Sequence, residues 1–121
     1  MIYCTLTGLR ADEACKSVSL VKNDLNNYLN KTMILEHFRY PKIFIRITKQ
    51  ALISIVNDSI LNLVNDSHDY SYNALRCYLK RKKICMNMNY CRKIFATCLR
   101  NNGIEQETID LLQGEYLNRY L

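Results

Sequence analysis

Two arginines sit where a guanidinium could be held still for an oxyanion. In "TGLRADE", Arg10 follows a tight glycine turn and directly precedes a helix, and Glu13, one helical turn later, can brace it. In "NYCRKIFATCLRNNG", Arg92 stands at the first turn of a helix whose other facing residues are apolar. Either stretch alone also fits an ordinary surface arginine. The charge distribution adds a third observation. No Asp or Glu occurs between Asp69 and Glu105, and that window holds Arg76, Lys80, Arg81, Lys82, Lys83, Arg92, Lys93 and Arg100. A concentrated positive field suits a polyanion such as DNA or RNA. A solvated basic face with no partner has the same composition.

Elements must hold these side chains. Residues 1 to 7, "MIYCTLT", read as the last turns of a helix stopped by Gly8. Residues 11 to 18 have the helical spacing Ala11, Ala14, Cys15 and Val18, and "KNDLNNYLNK" is polar and turn-rich. The period then changes. "MILEHFRYPKIFIRI" and "QALISIV" are rich in β-branched and aromatic residues and predict a hairpin turning around Thr48 and Lys49. Pro41 would then mark an edge or a bulge. Asp58 or Ser59 is placed to cap a short helix. "SYNALRCYLKRKK" is a basic amphipathic helix with Tyr72, Leu75, Tyr78 and Leu79 inward. In the Arg92 helix Cys91, Ile94, Phe95, Cys98 and Leu99 share one face, Gly103 supplies a left-handed stop, and "EQETIDLLQG" is a last helix closed by Gly114. The order predicts an α+β chain, mostly helical, with a small sheet at one side.

Composition narrows the classes. The 121 residues are 49% hydrophobic and 23% charged, with a formal net charge of +6, which is globular rather than disordered and fits one domain. No apolar run approaches the roughly 18 residues needed to span a bilayer. The start has no basic stretch before its apolar residues, so an intracellular setting is expected rather than secretion. None of the six cysteines forms a C-x-x-C pair, and His37 and His68 are not near them in sequence, so no metal site is expected. Cys91 and Cys98 are read as small buried apolar residues.

Taken in order, these stretches resemble the catalytic domain of tyrosine site-specific recombinases, the phage-integrase family. There a T-G-L-R-x-x-E stretch carries the first catalytic arginine, a hairpin carries a lysine, and H-x-x-R-h-x-F-A-T opens the helix of the second arginine. An N-G-I/V turn and an I-x-x-L-L-G helix follow. This chain has "TGLRADE", "RITKQALISIV" and "NYCRKIFATCLRNNGIEQETIDLLQG" in that order. The wording is most similar to integrases of archaeal spindle-shaped viruses and their integrated, proviral relatives. The resemblance runs from Thr7 to about Gly114 and implies a partial catalytic domain over residues 1–121. The chain reads as truncated at both ends, without the N-terminal core-binding domain.

The resemblance implies DNA integration and recombination through a 3′-phosphotyrosyl intermediate, without metal or other cofactor. Arg10 and Arg92 would bind the equatorial oxygens of the phosphorane with charge-assisted forks. Lys49 would protonate the leaving 5′-oxygen, with Lys42 and Arg46 as rival positions. Tyr120, in "NRYL", would be the nucleophile, with Tyr116 as its rival. Arg76, Lys80, Arg81, Lys82, Lys83, Asn89 and Lys93 would contact DNA. Asn89 stands where the family has histidine, and Glu115 where it has His, Trp, Arg or Lys. The implied partner is duplex DNA at an attachment site in the host cytoplasm, with self-association on that DNA and no membrane. One alternative is a non-catalytic DNA-binding protein that keeps the arginine phosphate pocket. Another is an unrelated basic helical protein, which predicts that Arg10 and Arg92 lie far apart.

Overall fold

The computed structural model describes residues 1–47, 49–84 and 87–115. Eight helices appear among them: α1 (Ile2–Thr7), α2 (Ala11–Asn23), α3 (Leu25–Tyr28), α4 (Pro41–Phe44), α5 (Asp58–Asn65), α6 (Tyr72–Arg81), α7 (Met88–Asn101) and α8 (Gln106–Gln113). Strands β1 (Ile34–Glu36) and β2 (Ile53–Ile55) form a two-stranded antiparallel sheet in which Leu35 faces Ser54. The class is α+β and mostly helical. α1 packs along α7, α2 packs on α3, α5 and α6, and α8 folds back on α7. Among the described residues no helix is long and apolar enough to cross a membrane.

The expected hairpin is present, but its first arm is interrupted. After β1 the chain makes a 3-10 turn over His37–Arg39 and the single helical turn α4, then returns to extended backbone at the isolated bridge Ile45–Gln50. Pro41 does not mark a strand edge: it is the first residue of α4, where its missing N–H costs nothing and its fixed φ is already helical. Three other local expectations change. α2 runs five residues further than the spacing of its apolar residues required, to Asn23. The cap of α5 is Asn57, whose side chain accepts the Ile60 N–H at 2.9 Å. On the expected inward faces, Tyr78, Ile94 and Cys98 are exposed, because few elements cover the outer sides of α6 and α7. Cys91 is buried.

The apolar interior gathers Leu9, Tyr28, Leu35, Phe44, Ala51, Val64 and Cys91. A line of neutral polar groups runs through it. Tyr3 Oη is hydrogen-bonded to Ser17 Oγ (2.6 Å), Ser17 Oγ to Tyr28 Oη (2.7 Å), Tyr28 Oη to His37 Nδ1 (2.5 Å), and His37 Nε2 to Ser54 Oγ (2.6 Å). Both ring nitrogens of His37 are thereby satisfied, as buried polar groups require. Burial holds the imidazole neutral by lowering its pKa to about 3, and raises the Tyr3 hydroxyl to about 12. The chain ties α1, α2, α3 and β2 together from inside. The Phe44 ring packs against His37 at a tilt of 34°, with centroids 4.3 Å apart.

Candidate functional site

Two glycines let three segments meet. Gly8 ends α1 at φ 71°, and a Cβ there would fall 2.4 Å from the Phe95 ring, so α1 can lie against α7 only with glycine at this position. The chain then turns through Leu9, and Arg10 stands in extended backbone immediately before α2. Gly114 ends α8 at φ 80°, and a Cβ there would come within 3.0 Å of the Ala51 nitrogen. That close approach lets the Gly114 carbonyl accept the Gln50 N–H at 3.1 Å, which fastens the hairpin tip, and Lys49 with it, to the end of α8.

Arg92 is set by backbone. Its Nε donates to the Gly8 carbonyl at 3.0 Å and its Nη2 to the Gln113 carbonyl at 2.7 Å. These carbonyls lie at the C-terminal ends of α1 and α8, where intrahelical partners run out and a cation is favoured. The Gln113 amide returns a hydrogen bond from Nε2 to the Arg92 carbonyl at 2.9 Å. Burial and the neighbouring Arg10 lower the Arg92 pKa, while Glu115 and Glu13 oppose that shift; the guanidinium stays charged. Arg10 is used differently. Its Nη2 donates to Glu115 Oε1 at 2.9 Å, while Nη1 is buried without a hydrogen bond, 3.7 Å from Glu13 Oε1. Glu13 is wholly buried behind it; Oε1 accepts the Arg10 backbone N–H at 3.4 Å and Oε2 has no partner. Its burial raises the Glu13 pKa against the pull of Arg10.

The three expected site residues Arg10, Lys49 and Arg92 therefore converge, and Glu115 Oε1 lies at the point where they meet. Besides Arg10, it has Arg92 Nη2 at 3.7 Å and Lys49 Nζ at 3.8 Å. Of the rival positions, Arg46 is engaged by Asp12 at 2.5 Å, and Lys42 lies exposed on α4. The remaining candidates stay apart from the cluster. Arg76, Lys80, Arg81, Lys82 and Lys83 are exposed on α6 and just after it; Arg76 and Lys82 lie over the Tyr72 and Tyr78 rings. Asn89 and Lys93 are exposed on α7, on either side of Arg92 in sequence. Tyr120 and Tyr116 lie outside the described residues. Among those described, no group of His, Cys, Asp and Glu is placed to hold a metal.

Gln113 and the Gly8 carbonyl were not foreseen as partners of Arg92. The one available signal was that glutamine directly precedes the glycine stop in "LLQG". A concavity of about 450 Å³ lies elsewhere, lined by Met1, Val18, Leu63, Leu75 and Tyr78 at the N-terminal end of α1, with mostly apolar walls that also include Ser67 and His68. The geometry of the cation cluster permits charge-assisted binding of one oxyanion. Compared with protein-family models, curated proteins and solved structures, the chain matches none of them.

Proposed function

We propose that this chain binds duplex DNA as a domain of the tyrosine-recombinase type, holding one backbone phosphate between Arg10, Arg92 and Lys49. One observation carries the reading: three cations from distant parts of the sequence meet a single anionic oxygen, at 2.9, 3.7 and 3.8 Å. The exposed basic residues of α6 and α7 supply the wider field that brings a polyanion to the pocket. In strand exchange a tyrosine oxygen attacks phosphorus, the 3′-phosphotyrosyl bond forms and the bond to the 5′-oxygen breaks. The two guanidiniums carry the added phosphorane charge, and Lys49 gives a proton to the departing oxygen. Tyr120 is the proposed nucleophile.

A second reading is a DNA-binding protein that keeps the pocket without cleaving DNA. It is favoured by Glu115, whose negative charge lies where the scissile phosphate would sit. Titrating duplex DNA at rising salt tests what both readings share. Wild type should lose affinity with a log–log slope of about −0.9 per phosphate contacted, and Arg10→Ala should bind more weakly with a slope reduced by about one contact. Equal affinities would remove the pocket from DNA binding. A nicked substrate carrying the attachment site separates the two. A covalent adduct lost in Tyr120→Phe supports strand exchange, and binding without an adduct supports the second reading.

A further inference from the structure

We propose that Glu115 is a tethered competitor for the phosphate seat: its carboxylate occupies the cation cluster until a DNA phosphate displaces it. The inference rests on the reading of that cluster as a phosphate site and concerns how the site is regulated.

The scaffold around Glu115 does not need its side chain. The Glu115 N–H donates to the Asp110 carbonyl at 2.8 Å, which closes α8, and the Gly114 carbonyl is held by Gln50. Arg92 is fixed by the Gly8 and Gln113 carbonyls. The carboxylate is thus free to leave by side-chain rotation while the backbone stays in place. Its hold is one-sided. Arg10, Arg92 and Lys49 all approach Oε1, at 2.9, 3.7 and 3.8 Å. Only the Arg10 contact, at 2.9 Å, is within hydrogen-bonding distance. The Arg10 guanidinium makes that single hydrogen bond, and its buried Nη1 makes none. A group with more anionic oxygens can engage three cations better than one carboxylate oxygen does.

Charge points the same way. Three cations stand against Glu13 and Glu115, so the cluster is nearly neutralised while Glu115 is seated. With Glu115 turned out, a net charge of two faces the incoming phosphodiester. The tether gives the carboxylate a high effective concentration, so a dilute free anion competes poorly. A duplex already held on the basic residues of α6 and α7 presents its phosphate at high local concentration and can displace it. The pocket's apparent affinity is its intrinsic affinity scaled by the fraction of time that the seat is open.

The test measures binding of inorganic phosphate, by calorimetry and by the shift in thermal unfolding midpoint, to wild type, Glu115→Gln, Glu115→Ala and Arg10→Ala. Both Glu115 variants should bind phosphate about ten- to a hundredfold more tightly than wild type, the range expected for removing a competing charge-assisted contact. Arg10→Ala should bind it more weakly than wild type. Wild-type affinity in both Glu115 variants, with loss in Arg10→Ala, would overturn the competitor and leave the phosphate seat standing. No phosphate binding by any folded variant would overturn the seat itself. The unsubstituted chain gives an independent reading. The Glu115 carboxyl carbon resonance should move when duplex DNA is added, and a resonance that stays put while DNA is bound overturns the displacement.

Discussion

Two polar clusters of five residues are built to opposite rules. The buried line of Tyr3, Ser17, Tyr28, His37 and Ser54 is neutral, and each link is between 2.5 and 2.7 Å. The cluster of Arg10, Glu13, Lys49, Arg92 and Glu115 is charged, has contacts up to 3.8 Å, and leaves Arg10 Nη1 and Glu13 Oε2 buried without hydrogen bonds. A buried polar group left unpaired costs about 1–3 kcal/mol, more when charged. The first arrangement minimises that cost and the second retains it. The difference separates polar groups that satisfy one another inside the fold from charged groups that leave part of their bonding capacity unused.

The largest effect should come from cutting the neutral line at its middle. Tyr28→Phe leaves His37 Nδ1 and one side of the Ser17 hydroxyl without partners, and should lower unfolding free energy by about 3–4 kcal/mol in urea. Its remaining folded fraction should bind DNA as wild type does. A loss below about 1 kcal/mol would mean that the line is not a structural element. Arg92→Ala blurs the comparison in an informative way, because Arg92 serves both rules. It should lose about 2–3 kcal/mol, since the carbonyls of Gly8 and Gln113 lose charge-assisted partners in part-buried surroundings, and it should also lose phosphate binding. Loss of only one property would assign Arg92 to a single role.

The gentlest of these effects, taken per unit of pH, is a slope. His37 has a folded pKa of about 3, below the ordinary 6.5, so the unfolded chain takes up the proton first. This contribution is fully present above about pH 6.5 and is lost as pH falls toward 3, by up to about 1.4 kcal/mol per unit. Glu13 works with the opposite sign. Its raised pKa means that the folded state holds the proton longer, so its contribution favours folding as pH falls through that range. Urea midpoints from pH 7 to 4 should fall in wild type, and the fall should vanish in His37→Gln if that variant folds. An unchanged slope in the variant would clear His37 of the effect.

The convergence of Arg10, Lys49 and Arg92 was legible only through the resemblance of the ordered motifs, because each stretch alone also fits an ordinary surface residue. Helix ends at Gly8, Gly103 and Gly114 were legible directly, since positive φ favours glycine. The neutral line was not. Its members come from five elements, and Tyr28 lies in "KNDLNNYLNK", whose polar composition hides a wholly buried ring. Nothing local distinguishes Ser17 from a surface serine until α1 and α3 pack on either side of it. The broken first arm of the hairpin was hidden by the β-branched and aromatic residues around Pro41. Tertiary packing overrides such propensities. Glu115 was legible as a charge at odds with the resemblance, but not as the group on which the three cations meet.

Arg92 reaches back 84 residues to Gly8 and forward 21 to Gln113, and Arg10 meets Glu115 across 105 positions. During synthesis, the parts of the pocket therefore leave the ribosome at widely separated times. A nascent chain ending near Asn102 carries the basic residues of α6 and α7, but lacks the Gln113 carbonyl that orients Arg92 and the Gly114 contact that brings Lys49 in. Such a chain has the positive charge but not the assembled cation cluster, which waits on the final helix. In the proposed reading, binding specific to this pocket therefore begins only after α8 has left the ribosome and packed on α7.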